Sequence, residues 1–402
     1  MKMKQLPEEF LKATPIMEAI EAAGFEAYFV GGSVRDIILN HHIHDVDIAT
    51  SAFPEEIKQI FPRTVDVGIE HGTVLVLHGD EEYEITTFRT ESTYQDYRRP
   101  DEVTFVRSLS EDLKRRDFTM NALAMTKEGE LIDLFSGIEA IHQKQIIAVG
   151  NASERFHEDA LRMMRGLRFT SQLDFDIEEQ TKQAIMEHHA LLEKISVERI
   201  YIEFIKLLTA EYRNKGLVSF VETGCFNYCP GLKGQQEGLE KLLTIPNEAI
   251  FETDTIAWIT LIYMLHINEV TSFLRQWKCS NKLIHHVDKS VTQLIRRDTE
   301  EWDILSLYES GEEVISDVEI VRELIGLSSQ KDEALNIYKE LPIKSIRELA
   351  VSGKDILNVL EESPGPWLGQ LLGHLEKSVV LAQLPNEKEA LLIEGKKWKE
   401  SH

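Results

Sequence analysis

Short β-branched and aromatic runs alternate with helical periodicity over the first 150 residues. Tyr28-Phe29-Val30 predicts a buried strand, Val34 to Asn40 a helix, Val46 to Ala49 a strand and Pro54 to Phe61 a helix. Strands follow near Thr73 to Leu77 and Tyr83 to Phe88. The pattern is that of a small α/β or α+β domain. After Val149-Gly150-Asn151 helical periodicity takes over, and strand signals nearly vanish. Ser196 is placed to cap a helix through Ile200, Ile202, Phe204, Ile205 and Leu208, and Thr223-Gly224 and Pro230-Gly231 punctuate the middle. A last unit starts near Ile343, contains Ser352 to Asp355 and Pro364 to Pro366, and ends in a helix with Leu368, Leu371, Leu372, Leu375 and Val379 on one stripe. The expected organisation is a mixed domain over 1–150 and three helical segments over 151–210, 211–342 and 343–402.

The chemistry concentrates where the first strands meet the first helix. Gly31-Gly32-Ser33-Val34-Arg35-Asp36 is a glycine turn opening a helix, which lets backbone N–H groups approach a polyphosphate, with Arg35 as a charged clamp. Asp45 and Asp47 follow in Asp45-Val46-Asp47-Ile48; in a strand, residues two apart share a face, so both carboxylates can hold hard divalent cations. Either element alone is commonly just a turn or a solvated strand end. On consecutive elements they point to metal-assisted phosphoryl chemistry on a nucleoside triphosphate. Glu84, on a later strand, is a third carboxylate able to face the same place or simply solvent.

Ser153 to Arg168 opens the helical half. As one helix it puts Ala160, Leu161, Met163, Met164 and Leu167 on one arc and Glu158, Asp159, Arg162, Arg165 and Gly166 on the other, with Arg168 near the boundary. A salt-bridged solvent face is one reading. Base recognition is the other, because cytosine and adenine both present an exocyclic amine beside a ring-nitrogen acceptor. Asp159 can accept from that amine and Arg162 can donate to that nitrogen, whereas uracil and guanine reverse the polarity. Gly166 would admit a base or sugar, or a packing partner. Between the halves, Arg116 is a candidate phosphate or ribose contact and Asn121 a hydrogen-bonding support.

The net charge of −25 opposes nucleic-acid binding if spread evenly, but basic residues gather at Arg98-Arg99, Arg107, Lys114 to Arg116 and Arg162 to Arg168, which predicts a positive cleft on an acidic body. Three cysteines match no metal spacing, and the most apolar run, Ile256 to Leu265, is too short to span a bilayer. A cytoplasmic protein without a membrane partner is expected.

Four segments in order, Gly31 to Asp36, Asp45-x-Asp47-Ile48-Ala49-Thr50, Arg115-Arg116-Asp117-Phe118-Thr119-x-Asn121-Ala122 and Arg155-Phe156-x-Glu158-Asp159-x-x-Arg162, closely resemble the bacterial class II tRNA nucleotidyltransferases, the CCA-adding enzymes, and their poly(A) polymerase relatives. The resemblance implies an α/β (α+β) N-terminal nucleotidyltransferase head of the DNA polymerase β type, then an all-α neck, body and tail, the tail binding tRNA. Carried over residue by residue, it implies Asp45 and Asp47 as catalytic Mg²⁺ ligands, and Gly32, Arg35 and Arg116 as nucleotide contacts. It makes Asp159, Arg162, Arg165 and Arg168 the nucleotide-recognition helix, with Glu158 holding Arg162, and Gly31, Ser33, Glu84, Asp117 and Asn121 are carried as supporting residues. The implied reaction adds C, C and A to the tRNA 3′ end from CTP and ATP by two-metal nucleotidyl transfer with release of pyrophosphate, and a homodimer is allowed for. Tyr94 to Asp101 resembles the loop with which full CCA-adding enzymes switch from C to A. The alternatives are a poly(A) polymerase, a partial A-adding or CC-adding enzyme, a His-Asp phosphohydrolase built on His41 to Asp45, and an RNA-binding protein with a decayed site.

Overall fold

The computed structural model describes all residues except Met1, Lys4, His44, 69–71, 92–93, 96–98, 101–102 and His402, and leaves out the side chains of Glu91, Tyr94, Gln95, Arg99, Pro100 and Val103. Of the segment Tyr94 to Asp101, residues Asp96, Tyr97, Arg98 and Asp101 therefore lie outside the described residues, as does His44. The chain divides into two units, Met1–Glu248 and Ala249–His402.

The first unit opens with α1 (Glu8–Ala22), β1 (Ala27–Val30), α2 (Gly32–Leu39), β2 (Asp47–Thr50), α3 (Pro54–Ile60), β3 (Thr64–Gly68), β4 (Thr73–His78) and β5 (Glu81–Thr87). Four short strands follow, β6 (Arg89–Glu91), β7 (Tyr94–Gln95), β8 (Arg99–Pro100) and β9 (Val103–Phe105), pairing β6 with β9 and β7 with β8. Then come α4 (Leu109–Lys114), β10 (Leu123–Met125), β11 (Leu131–Asp133), α5 (Gly137–His142) and β12 (Gln145–Ile146). The helical part of this unit comprises α6 (Ala152–Glu158), α7 (Leu161–Leu173), the strand β13 (Asp176–Ile177), α8 (Glu179–His188), α9 (Val197–Leu208), α10 (Arg213–Glu222) and α11 (Gln236–Leu242).

Seven strands form one mixed sheet in the order β11-β10-β1-β2-β5-β4-β3. Period-two alternation decides which face is buried. Ile48, Ile85, Val74 and Val76 enter a core with Phe29 and with Phe10, Ile16, Met17 and Ile20 of α1, and Phe10 meets Phe29 edge to face at 4.8 Å between centroids. Their neighbours Asp47, Glu84, Thr86 and Thr73 take the opposite face. β1 and β2 run antiparallel with Val30 opposite Asp47, while β2 and β5 are parallel with Ile48 opposite Ile85.

The second unit is helical: α12 (Asp254–Met264), α13 (Val270–Gln276), α14 (Asn281–Arg296), α15 (Ile304–Leu324), α16 (Lys331–Glu340), α17 (Gly353–Leu360), α18 (Pro366–Val380) and α19 (Lys388–Ser401). Leu371, Leu375 and Val379 of the expected stripe are buried with Ile343, Ile356 and Leu391. Ser352 caps α17 reciprocally with Asp355: its N–H donates to Asp355 Oδ2 at 2.9 Å, and the Asp355 N–H donates to its Oγ at 3.3 Å.

Two local differences from the sequence reading matter for the site. β2 begins at Asp47, so Asp45 lies before the strand; Val30 is the last residue of β1 paired with β2, and beyond it β1 turns into Gly31 and α2. The predicted helix from Ser153 to Arg168 is two helices, because Asp159 adopts extended backbone (φ −139°, ψ 103°) and its side chain accepts the Leu161 N–H at 3.0 Å. A short acid that can bond its own downstream backbone competes with helix continuation.

Candidate active site

A cavity of about 870 Å³ lies wholly in the first unit. It is lined by eight arginines (Arg35, Arg89, Arg115, Arg116, Arg162, Arg165, Arg168 and Arg199) and four carboxylates (Asp47, Glu84, Asp117 and Asp159). On a chain of net charge −25, that local excess suits a polyanion.

At one end β1 delivers Gly31 and Gly32. Gly31 has φ +74° and ψ −136°, and a Cβ there would sit 3.2 Å from Arg116 Nη1 and 3.7 Å from Asp47 Oδ2. Both the backbone conformation and the crowding require glycine. Gly31→Ala is therefore expected to cost about 1–2 kcal/mol of stability and to displace Arg116. Melting experiments and nucleotide KM check this, with KM rising; an unchanged KM contradicts the placement. Gly32 starts α2, whose amino end lines the cavity. The Ser33 hydroxyl donates instead to Val30 O at 3.2 Å and does not line it.

Asp47 shares the sheet face with Glu84. Desolvation is the largest influence raising the Asp47 carboxyl above its ordinary value; Glu84 and Asp45 add to it, and the charge of Arg116 opposes. Asp45 is exposed and does not line the cavity. Among the described residues no group of three or more His, Cys, Asp or Glu side chains is gathered for a metal. The donor set nevertheless fits Mg²⁺, which takes hard oxygen ligands and is commonly held by one or two carboxylates completed by substrate phosphates and water. A soft or imidazole-rich site is not what these residues make.

The arginines are held by buried acids. Asp112, 1% exposed, accepts from Arg115 Nη2 at 2.7 Å and Arg116 Nη2 at 3.1 Å. Burial alone would raise its carboxyl, but those two charges hold it below the ordinary value. Asp117 accepts Arg165 Nε at 2.7 Å and the Phe118 N–H at 2.8 Å. Burial works against its ionised form, yet the charge and hydrogen bond of Arg165, the charge of Arg162 and the Phe118 N–H bring it down to about 2. Asn121 donates to Asp117 Oδ1 at 3.3 Å and accepts from Arg35 Nη1 at 2.8 Å, tying the clamp of α2 to this network. Arg35 also pairs with Asp36 at 2.8 Å.

At the other end, the polar arc that could have faced solvent packs inward: Arg162 and Arg168 are 7% and 9% exposed. Arg162 Nη1 donates to Glu158 Oε2 at 2.6 Å and Nη2 to Arg115 O at 2.8 Å, so Glu158 supports it from outside the cavity lining. Asp159 pairs with Arg199 Nη2 at 2.6 Å. Arg168 pairs with the buried Glu203 at 2.7 Å and lies over Phe169, its guanidinium carbon 4.2 Å from the ring centroid. Gly166 serves packing, since a Cβ there would meet Phe118 Cζ at 3.0 Å.

Of the residues singled out in the sequence, Gly31, Gly32, Arg35, Asp47, Glu84, Arg116, Asp117, Asn121, Asp159, Arg162, Arg165 and Arg168 line one cavity; Ser33, Asp45 and Glu158 do not. Asp112, Phe169, Gln172, Arg199 and Glu203 were not singled out. The available signal was an acid three and four residues before Arg115 and Arg116, and an Arg199/Glu203 pair one helical turn apart beside the apolar stripe of α9.

Residues 27–147 match the family model "Poly A polymerase head domain", 174–235 match "Probable RNA and SrmB- binding site of polymerase A", and 250–394 match a model for tRNA nucleotidyltransferase domain 2. The CCA-adding enzyme of Enterococcus faecalis is 59% identical over 99% of this chain and 98% of its own, and that of Streptococcus mutans 48% identical over 98% of each. The crystal structure of the Bacillus stearothermophilus CCA-adding enzyme in complex with CTP superposes with a TM-score of 0.91 at 40% identity, covering 98% of this chain and 99% of that one. The Thermotoga maritima CCA-adding enzyme complexed with tRNA, at 22% identity and a TM-score of 0.63 over 98% and 96% of the two chains, shares the fold.

Proposed function

The chain belongs to the family of CCA-adding tRNA nucleotidyltransferases, and from that premise we propose that the arginine-lined cavity adds C, C and A to the tRNA 3′ end, reading each base with side chains in place of a template. The observation that carries this reading is the sharing of one cavity by Gly31, Gly32 and Asp47 at the phosphate end and by Asp159 and Arg162 at the base end.

The amino end of α2 and the guanidinium groups of Arg35 and Arg116 receive the triphosphate. Asp47, with Asp45 or Glu84, would hold Mg²⁺, which when bound supplies charge stabilisation at the reacting phosphoryl group. The tRNA 3′-hydroxyl attacks the α-phosphorus and pyrophosphate departs. Asp159 accepts from the amine of cytosine or adenine while Arg162 donates to the adjacent ring nitrogen. Uracil and guanine would set acceptor against acceptor at Asp159 and donor against donor at Arg162, a mismatch of about 1–3 kcal/mol each. Residues 1–150 act as head, 151–210 as neck, 211–342 as body and 343–402 as tail. Among the described residues no helix is long and apolar enough to cross a membrane, and we assign the reaction to the cytoplasm, with tRNA as the macromolecular partner.

Product length tests the proposal. With tRNA lacking its 3′ trinucleotide and labelled CTP plus ATP, three residues are expected, and two with CTP alone. Termination at two with both nucleotides means a CC-only enzyme, and a long ladder with ATP alone means poly(A) synthesis; either overturns it.

A further inference from the structure

Helix α9 carries an apolar stripe, Ile200, Phe204, Leu207 and Leu208, that packs inward. Along its edge Arg199 and Glu203 lie one turn apart; Arg199 pairs with Asp159, at the break between α6 and α7, and Glu203 with Arg168 of α7. Arg199 lines the cavity, and its Nη2 donates to Asp159 Oδ2 at 2.6 Å. The other oxygen, Oδ1, accepts the Leu161 N–H at 3.0 Å. Each carboxylate oxygen thus has one fixed partner, and the carboxylate is locked about both of its torsions. Arg199 Nη1 is buried and has no hydrogen-bond partner among the described residues, which leaves a donor for an acceptor atom brought by a ligand.

We propose that Arg199 is a specificity-determining positioning residue, which fixes Asp159 as an oriented, ion-paired acceptor and so restricts the cavity to bases that offer an exocyclic amine beside a ring-nitrogen acceptor, cytosine and adenine. The proposal rests on the reading of Asp159 as a base-contacting group. A carboxylate with two occupied oxygens keeps further acceptor sites and no donor. It can take the amine of cytosine or adenine but cannot give a proton to the O4 of uracil or the O6 of guanine. Without Arg199 the group is tethered only by the Leu161 N–H and is free to rotate out of the orientation that meets the amine. Arg162 cannot substitute, because it is engaged by Glu158 and by the backbone oxygens of Arg155 and Arg115.

The test is the ratio of kcat/KM for CTP over UTP in single addition to tRNA lacking its 3′ trinucleotide, with melting temperatures recorded for every variant. Arg199→Ala is expected to lower the ratio by roughly tenfold or more, the scale of one lost buried hydrogen-bond match, and Asp159→Asn to lower it comparably. The double variant should be no less selective than Asp159→Asn alone, because residues acting through one another do not add. Arg199→Lys should restore much of the ratio by returning the charge without the planar fork. Should Arg199→Ala fail to fold, Arg199→Gln takes its place. A folded Arg199 variant with an unchanged ratio, beside an Asp159→Asn variant whose ratio falls, overturns the proposal and leaves the base-reading role of Asp159 standing. Multiplicative losses in the double variant overturn it as well. An unchanged ratio in Asp159→Asn overturns both.

Discussion

Asp47→Ala is expected to lower the addition of C and of A alike by about 10³-fold or more, while tRNA affinity stays within a small factor of the parent. Asp47 is where the sheet register, the Gly31 turn and the cavity coincide: it stands opposite Val30 in the β1–β2 pairing, lies beside Glu84, and its Oδ2 is 3.7 Å from where a Cβ of residue 31 would be. Removing a carboxylate that holds a catalytic cation forfeits several kcal/mol of charge stabilisation, and about 4 kcal/mol corresponds to three orders of magnitude in rate. The loss should appear in kcat for both nucleotides, because on the proposed reading one carboxylate serves every addition. Single-turnover assays and a filter-binding measurement with tRNA separate chemistry from binding. A variant retaining a tenth of the parental kcat would remove Asp47 from the centre of the reaction.

The second large effect concerns Asp117. Its carboxylate is the shared acceptor for Arg165, Asn121 and the Phe118 N–H, and Asn121 in turn holds Arg35. Asp117→Asn keeps the shape, removes the charge and leaves Arg165 without its ion-pair partner. Breaking a buried pair typically costs 3–5 kcal/mol; since the Arg165 side chain is 36% exposed, the low end, about 3 kcal/mol, is expected at neutral pH. For a unit of this size that is a drop of roughly 6–12 °C in its melting transition. The pH dependence has a defined sign. Asp117 is held near 2 against an ordinary 3.8, so the folded state binds its proton less readily than the unfolded chain. The stabilisation is therefore complete above about pH 4 and is lost as the pH falls toward 2. The parent-minus-variant difference should be flat from neutral pH to about 4 and shrink below it. A difference that grows on acidification would contradict the assignment.

The sequence made the phosphate end legible because strong local rules act there. A glycine turn before a helix and alternation along β2 and β5 place Gly31, Asp47 and Glu84 without any long-range information. Asp45 departs from that rule for a non-local reason: the β1 side of the pairing ends at Val30, so the residues before Asp47 have no β1 partner to hold them in the strand. The break at Asp159 is local in cause, since its side chain bonds the Leu161 N–H, but hidden by periodicity, since the apolar positions continue in step across it.

Residues held in place from across the fold were the hardest to read. Arg199 meets Asp159 across 40 positions and Arg165 meets Asp117 across 48, and no spacing rule announces such pairs. Some framework was hidden for other reasons. Pro15 lies inside α1 and reads as a helix breaker, while β10 and β11 are three-residue strands whose hydrophobic pattern is too short to register. β3 is an edge strand with Val65 and Val67 exposed, so its apolar residues do not mark a buried face.

On the proposed reading one cavity grips a triphosphate at the Gly31 turn and reads its base at Asp159. The most direct test is a crystal structure of this protein with CTP and Mg²⁺. Phosphate oxygens are expected at the amino end of α2 with the cation on Asp47, and the cytosine amine within hydrogen-bond distance of Asp159 with its ring nitrogen facing Arg162. CTP bound with its base away from both side chains, or with Asp47 clear of the cation, would contradict that reading.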